Sequence, residues 1–458
     1  MSRVSTLSCV ALAALSASCG EDGDGARAAP PPVVLISLDT VRADSLSIYG
    51  GPAGATPVLD AFAERATRYA SCVSSAPWTL PSHASMFTGL YPSEHGAHTF
   101  LPGEGHRGDN VFALAPGFDT LAEALARLGY RTGGVVANAI YMRPMLGLGA
   151  GFESWDVRRD PGTRITDRAL AWLDGLPGGD RPPFLFVNYM DAHRPYAAGD
   201  AGVDAAAELD ALIDAVMARG EAPGAQGERV RALHRNAVTR LDAEVGRLFD
   251  GLRERGLFER ALVVVTSDHG EAFGGHGIVE HSKDVWEDLV RVPLIVKAPG
   301  QRDGAVREVR ASSVDVPGIV AEALAAAGYP GLGSTFPRRP GGHPVRTENH
   351  YSRLPDLARY GDRFRRRRHA IYDGRWKLVV GSDGSTELYD VEADPEELLD
   401  LAASRADVTE RLISGLERAL AEAPYEGDRV LPGQLSAAQT RDMRVLGYGG
   451  VGTAEGER

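Results

Sequence analysis

The stretch VVLISLD, residues 33–39, is a continuous apolar run of strand length that ends on a carboxylate. Such a run suits a strand covered on both faces, as in a parallel sheet between two layers of helices. Asp39 then stands at the carboxyl end of that strand, where open α/β sheets gather their ligands. The same arrangement recurs along the chain. Residues 133–137 end at Asn138, residues 184–188 lead into Asp191 and His193, residues 262–266 deliver Asp268 and His269, and residues 294–297 form a fifth run. Helical patterns lie between them at residues 57–68, at 119–128, around Trp172, and where Leu241, Val245, Leu248, Phe249 and Leu252 share one face. This alternation predicts an α/β fold, a doubly wound and mostly parallel sheet flanked by helices, over residues 33–335.

Beyond it the Pro- and Gly-rich residues 330–347 read as a linker. Short strand-like pieces at 370–372, 376–380 and 386–389 surround the turns Asp373-Gly374 and Asp383-Gly384, and a helical pattern spans 407–421. They predict a smaller C-terminal α+β subdomain with an antiparallel sheet over residues 343–430, followed by a tail at 431–458.

The amino terminus has a different character. Arg3 precedes a mostly apolar run at residues 4–17, too short to span a membrane and of the length of a secretion signal. Residues 15–19 (LSASC) resemble a bacterial lipobox, with Ser16 where a larger aliphatic residue is usual. Residues 1–19 are therefore expected to be a signal peptide, with Cys19 as a candidate lipid anchor, and residues 20–32 an acidic, Gly-rich linker. The expected location is the bacterial periplasm or cell envelope. Of three cysteines, Cys9 leaves with such a signal, and if Cys19 is lipidated Cys72 has no disulfide partner and reads as a free buried thiol. A formal net charge of −13 argues against a nucleic-acid partner, since such proteins replace phosphate counterions with basic patches. The run at residues 365–368 is a local exception and reads as a surface loop.

Residues 78–96 (WTLPSHASMFTGLYPSEHG) carry the chemistry. Pro81 suits a first helical turn and Gly89 a helix stop, which puts Thr79 at the helix's amino end. A hydroxyl there either caps the helix or, where the helix dipole favours an anion, acts as a nucleophile. Asp39, Asp268 and His269 fall on the same expected rim. Two carboxylates, an imidazole and the Thr79 hydroxyl make a ligand set for one divalent metal, which would lower the hydroxyl's pKa.

These segments, in this order, resemble the sulfatases and their relatives in the alkaline phosphatase superfamily. LDTVRADSLSIYG is similar to the family's first metal segment, residues 78–96 to its nucleophile segment, NYMDAHRPY to its central Asp-x-His segment and VVVTSDHGEAFGGHG to its second metal segment. WEDLVRVPLIVKAPG, ELYDVEADPEELLDLA and the terminal LGYGG also match. The departures are equally informative. Sulfatases carry Cys or Ser in a Cys/Ser-x-Pro-Ser-Arg motif that becomes formylglycine; here Thr79 stands in its place and His83 replaces the Arg. Thr40 replaces a second Asp, His269 an Asn, and residues 136–138 lack the family's cation.

The resemblance therefore points to the threonine-nucleophile branch, with phosphate, phosphodiester or phosphonate esters as substrates. A threonine ester cannot be cleared by collapse to an aldehyde and needs attack at phosphorus or sulfur. In this reading Thr79 attacks, while Asp39, Thr79, Asp268 and His269 hold one metal among Mn, Zn, Mg and Ca, with Mn or Zn favoured. His193, with His281 or Lys283, binds the transferred group or protonates the leaving oxygen. His83, Asn138 and His193 are expected to contact the substrate, a small-molecule, glycan or lipid ester. A second metal through Asp191, His193 and His281 is the alternative arrangement. Two other readings stay open: a sulfate-ester hydrolase without formylglycine, and an inactive protein that binds a sulfated or phosphorylated glycan or lipid.

Overall fold

The computed structural model describes residues 29–103, 109–196 and 204–432. The expected signal peptide, Cys19 and residues 433–458 lie outside the described residues. Among those described, no helix is long and apolar enough to cross a membrane.

The main sheet takes its strands from β1 (Val33–Leu38), β2 (Thr67–Tyr69), β3 (Arg131–Val136), β4 (Ser154–Val157), β5 (Pro183–Tyr189), β6 (Leu262–Thr266), β7 (Leu294–Lys297) and β8 (Ala305–Arg307). Their spatial order is β8-β2-β7-β6-β1-β5-β3-β4. Only β7 runs against its neighbours, pairing antiparallel with β6 and β2. The expected mostly parallel α/β sheet is present. Along β1, Val33 and Leu35 enter one apolar core while Val34, Ile36 and Leu38 enter the other. Both faces of the strand are thus covered, which is why its sequence is apolar without alternation.

Helices α1 (Pro57–Ala63), α2 (Thr79–Thr88), α3 (Leu121–Arg127), α4 (Gly162–Asp174), α5 (Gly224–Glu254) and α6 (Val316–Ala326) flank the sheet. Two expectations are corrected here. The helical pattern at 57–68 stops at Ala63, and residues 67–69 extend instead as β2, because β7 and β8 offer that segment backbone partners on both sides. The amphipathic face at residues 241–252 belongs to the longer helix α5, which begins at Gly224.

A second sheet of four antiparallel strands follows, in the order β9 (Val345–Asn349), β10 (Arg368–Asp373), β11 (Trp376–Gly381) and β12 (Thr386–Asp390). Helix α7 (Ala406–Ala421) covers one face, packing Leu412 and Leu416 on Ile371, Leu378 and Leu388. The other face, with Ala370 and Val379, joins Val73, Leu289 and Val290 beneath the main sheet's loops. Strand β9 lies partly where a linker was expected. Its sequence VRTEN is buried throughout, and the charges are matched internally: Arg346 donates to Glu348 at 2.9 Å and to Glu94 at 2.7 Å. Polar composition concealed the strand.

Candidate active site

The carboxyl ends of β1, β3, β5 and β6 form one rim, and α2 points its amino end at it. Trp78 is the extended residue before the helix, so Thr79 occupies the first helical position and its side chain is not a cap. All of α2 is buried, and Gly89 ends it at φ 70°, a left-handed conformation that suits glycine. Ser82 Oγ donates to the Asp268 carbonyl at 2.6 Å, tying the helix to the loop after β6.

Thr79 Oγ1 lies 3.4 Å from His269 Nε2 and 3.3 Å from Asn138 Nδ2. The same Asn138 amide donates to Asp39 Oδ2 at 2.9 Å. His269 Nδ1 donates to the Gly270 carbonyl at 2.9 Å, which leaves Nε2 as a lone-pair donor facing inward. That nitrogen is 3.4 Å from Asp268 Oδ2 and 3.8 Å from Asp39 Oδ1. Both of these oxygens are buried and lack a hydrogen-bond partner. Orphaned carboxylate oxygens aimed at an imidazole lone pair fit a divalent cation, and Asp39, Asp268 and His269 bring ligand atoms within 4.8 Å of one another.

The electrostatics agree with the geometry. Burial, reinforced by Asp268, pushes the Asp39 carboxyl up to about 8. Burial likewise pushes Asp268 up to about 7 and holds His269 below its usual range. A cation between them would offset the burial that raises both carboxyls. Thr40, in the place of the family's second Asp, adopts φ 62°, unusual for a β-branched residue. Its hydroxyl turns away to the carbonyls of Asp39 and Ala192, each at 2.7 Å, while its N–H donates to Asp268 Oδ1 at 3.3 Å.

The other expected residues take several positions. Asn138 is at the heart of the site, with its own N–H donating to Asn188 Oδ1 at 3.0 Å. His83 lies behind α2: Nδ1 donates to the Thr79 carbonyl at 2.9 Å and Nε2 accepts from Ser37 at 2.8 Å. Both nitrogens face protein, so His83 supports the helix from behind. The His281 ring centroid lies 4.4 Å from that of His269, tilted by 37°, and its Nδ1 meets Glu271 Oε1 at 3.0 Å. Burial holds His281 well below and Glu271 well above their usual ranges. The His193 ring is 5.1 Å from that of His281 and is held down to about 3 by burial. Lys283 Nζ sits 3.6 Å from both Glu280 and Asp356.

Asp191 does not join His193 and His281. Its Oδ1 accepts from Gly162 N at 2.9 Å at the start of α4, so the alternative second-metal set is not assembled among the described residues. Asn188, Glu271, Tyr141 and Arg353 belong to the surroundings of the site and were not anticipated. Asn188 had a signal, a polar residue at the end of a buried strand. Arg353 had none, because the chain brings it from beyond β9; its charge adds to burial in depressing His281 and His269.

The sequence profile of the Sulfatase family matches residues 31–329. The ulvan-active sulfatase of Formosa agariphila is 26% identical over 298 residues, covering 59% of this chain and 56% of that protein. Arylsulfatase K of Bos taurus is 23% identical over 483 residues, covering 89% and 86%. The phosphonate monoester hydrolase of Agrobacterium radiobacter superposes with a TM-score of 0.62 at 20% identity, over 85% of this chain and 96% of that one, a likeness of fold. Since the profile runs from β1 past α6, through every element that carries the Thr79 constellation, the chain belongs to the sulfatase family, within the alkaline phosphatase superfamily.

Proposed function

We propose that this protein is a metal-dependent hydrolase or transferase that cleaves phosphate or phosphonate esters through Thr79. The observation that carries the reading is the uncapped Thr79 hydroxyl within 3.4 Å of His269 Nε2, beside two orphaned carboxylate oxygens. A divalent cation held by Asp39, Asp268 and His269, with Thr79 beside it, would lower the hydroxyl's pKa and offset charge on the transferred group.

The remaining work belongs to the chain's own residues. Asn138 orients Thr79 and keeps Asp39 directed at the site. Thr79 gives its hydroxyl proton to water and its Oγ1 forms a bond to phosphorus as the bond to the leaving oxygen breaks, and that oxygen takes a proton from the His193, His281 and Glu271 group. Water or an acceptor alcohol then attacks the phosphothreonine, which restores the hydroxyl. The preference for phosphorus rests on chemistry: threonine cannot form the aldehyde that lets sulfatases release sulfate. Sulfate esters are the second reading, favoured by the sulfatase names of the relatives.

The test is turnover of aryl phosphate monoester, diester, phosphonate and sulfate esters with Mn, Zn, Mg or Ca, beside Thr79→Ala. Phosphoester turnover lost in the variant and on chelation is expected. Faster sulfate than phosphoester turnover would replace the first reading with the second, and metal binding without any turnover would favour a binding protein.

A further inference from the structure

The chain leaving β9 is fastened at several points to segments that neighbour the site. Asn110 Nδ2 donates to the Ser352 carbonyl at 3.2 Å, while its Oδ1 accepts from Leu354 N at 3.0 Å. One side chain thus brackets the peptide units on both sides of Arg353. Ser352 Oγ donates to the carbonyl of Ser282, the neighbour of His281, at 3.3 Å. Thr99 Oγ1 and the Tyr351 backbone are bonded as well, with Tyr351 N donating at 2.9 Å. So many ties on an irregular segment preorganise the residue at its centre.

Arg353 is buried, and it lies close enough to the site for its charge to bear on His269 and His281. Nη1 donates to Tyr141 Oη at 3.4 Å, and Nη2 lies 3.7 Å from Asp356 Oδ2, a carboxylate it shares with Lys283. Tyr141 is itself a part of the site. Its backbone N–H donates to Asn138 Oδ1 at 2.9 Å, and its ring meets that of Trp78, the residue before Thr79, edge-on at 5.2 Å. Tyr141 therefore links the guanidinium to Asn138, which donates to the Thr79 hydroxyl, and to Trp78, which precedes Thr79 in the chain.

We propose that Arg353, carried in from the C-terminal subdomain, binds a non-bridging oxygen of the anionic group that Thr79 attacks, with Tyr141 and Asn110 as its positioning residues. This rests on the reading of Thr79 as nucleophile. The end of β3 contributes an amide, Asn138, and no cation to that position. A guanidinium fork suits a tetrahedral oxyanion, since it presents paired N–H donors to two oxygens or one. The substrate class that follows is an ester whose reacting group carries a negative oxygen, as phosphodiesters, phosphonate monoesters and phosphomonoesters do. Neutral triesters gain nothing from such a contact.

The experiment measures oxyanion binding apart from turnover. Inorganic phosphate is titrated by calorimetry into the Mn-loaded full chain, Thr79→Ala, and Thr79→Ala with Arg353→Gln. Arg353→Met, which keeps the apolar stem, replaces glutamine where that variant fails to fold. The proposal expects phosphate affinity to be similar with and without Thr79 and to fall at least about 10-fold when Arg353 is replaced. In the Thr79 protein, Arg353→Gln is expected to lower kcat/KM for an aryl phosphodiester by about 100-fold, with partial rescue by guanidinium ion. Equal phosphate affinity in folded Arg353 variants overturns the proposal even if the wild type turns over phosphodiester. Arg353-dependent phosphate binding without Thr79-dependent turnover sustains it and contradicts the nucleophile reading instead.

Discussion

At the scale of single residues, the site depends on how one amide and one hydroxyl are held. Asn138 touches both Thr79 and Asp39, at 3.3 and 2.9 Å, and its own backbone is fixed by Asn188. Replacing it with alanine removes a donor from the reacting centre and leaves Asp39 Oδ2 without its partner. Asn138→Ala is expected to reduce kcat for an aryl phosphoester by about 100-fold and also to lower the thermal midpoint, because the buried N–H groups of Ile140 and Tyr141 lose their acceptor, which steady-state kinetics and a melting curve would check. The importance of Asp39, Asp268, His269 and Thr79 was legible in the sequence because each directly follows a buried strand or opens a helix. Arg353 and Glu271 were not legible. Their roles depend on a chain crossing and a buried pairing, and neither leaves a periodicity or a motif of its own. His83 lies within 3.6 Å of Asp268 Oδ2, but its ring nitrogens bond to the Thr79 carbonyl and to Ser37.

At the scale of elements, α2 positions the nucleophile at one end and is closed by glycine at the other. Gly89 sits at φ 70°, and a methyl group there would meet the Val314 carbonyl at 3.4 Å, an ordinary contact. The cost of Gly89→Ala is therefore conformational. It is expected to destabilise the protein by about 1 kcal/mol, seen as a lower urea midpoint, with kcat/KM for phosphoester unchanged because Thr79 lies at the far end. An unchanged midpoint would mean that the helix ends elsewhere. Strands buried on both faces were easy to recognise at this scale, as β1 and β6 illustrate. Strand β9 was not, because Arg346, Glu348 and Glu94 neutralise one another in the interior and give a buried strand the composition of a surface. Residues 67–69 were lost to a helical pattern that tertiary pairing with β7 overrides.

At the scale of the whole molecule, the interface between α2, its following turn and the second sheet is lined with buried imidazoles. His95 is an example: Nε2 donates to Ser85 at 3.0 Å, Nδ1 accepts from Ala97 N at 3.1 Å, and burial holds it down to about 3. The folded state keeps this ring neutral while the unfolded chain protonates it below about 6.5. Folding stability from His95 is therefore complete above about pH 6.5 and is lost as pH falls from there toward 3, at about 1.4 kcal/mol per pH unit. His95→Gln should flatten the dependence of unfolding free energy on pH by about that slope between pH 5 and 6, and parallel curves for the two proteins would contradict the assignment. The fold class, the two sheets and the family were all legible at this scale, since they follow from the order of strands and motifs along the chain. The surroundings of the site were not, because side chains such as Arg353 and Tyr141 converge on it from distant segments.

The most direct measurement is capture of the covalent intermediate. The metal-loaded protein is mixed with an aryl phosphate ester, quenched in acid during the first turnovers, and mapped by peptide mass spectrometry. The account predicts the transferred phosphoryl group on the peptide bearing Thr79, absent from Thr79→Ala and from chelated protein. Phosphoester turnover that persists in Thr79→Ala, with no adduct on Thr79 in the wild type, would contradict it.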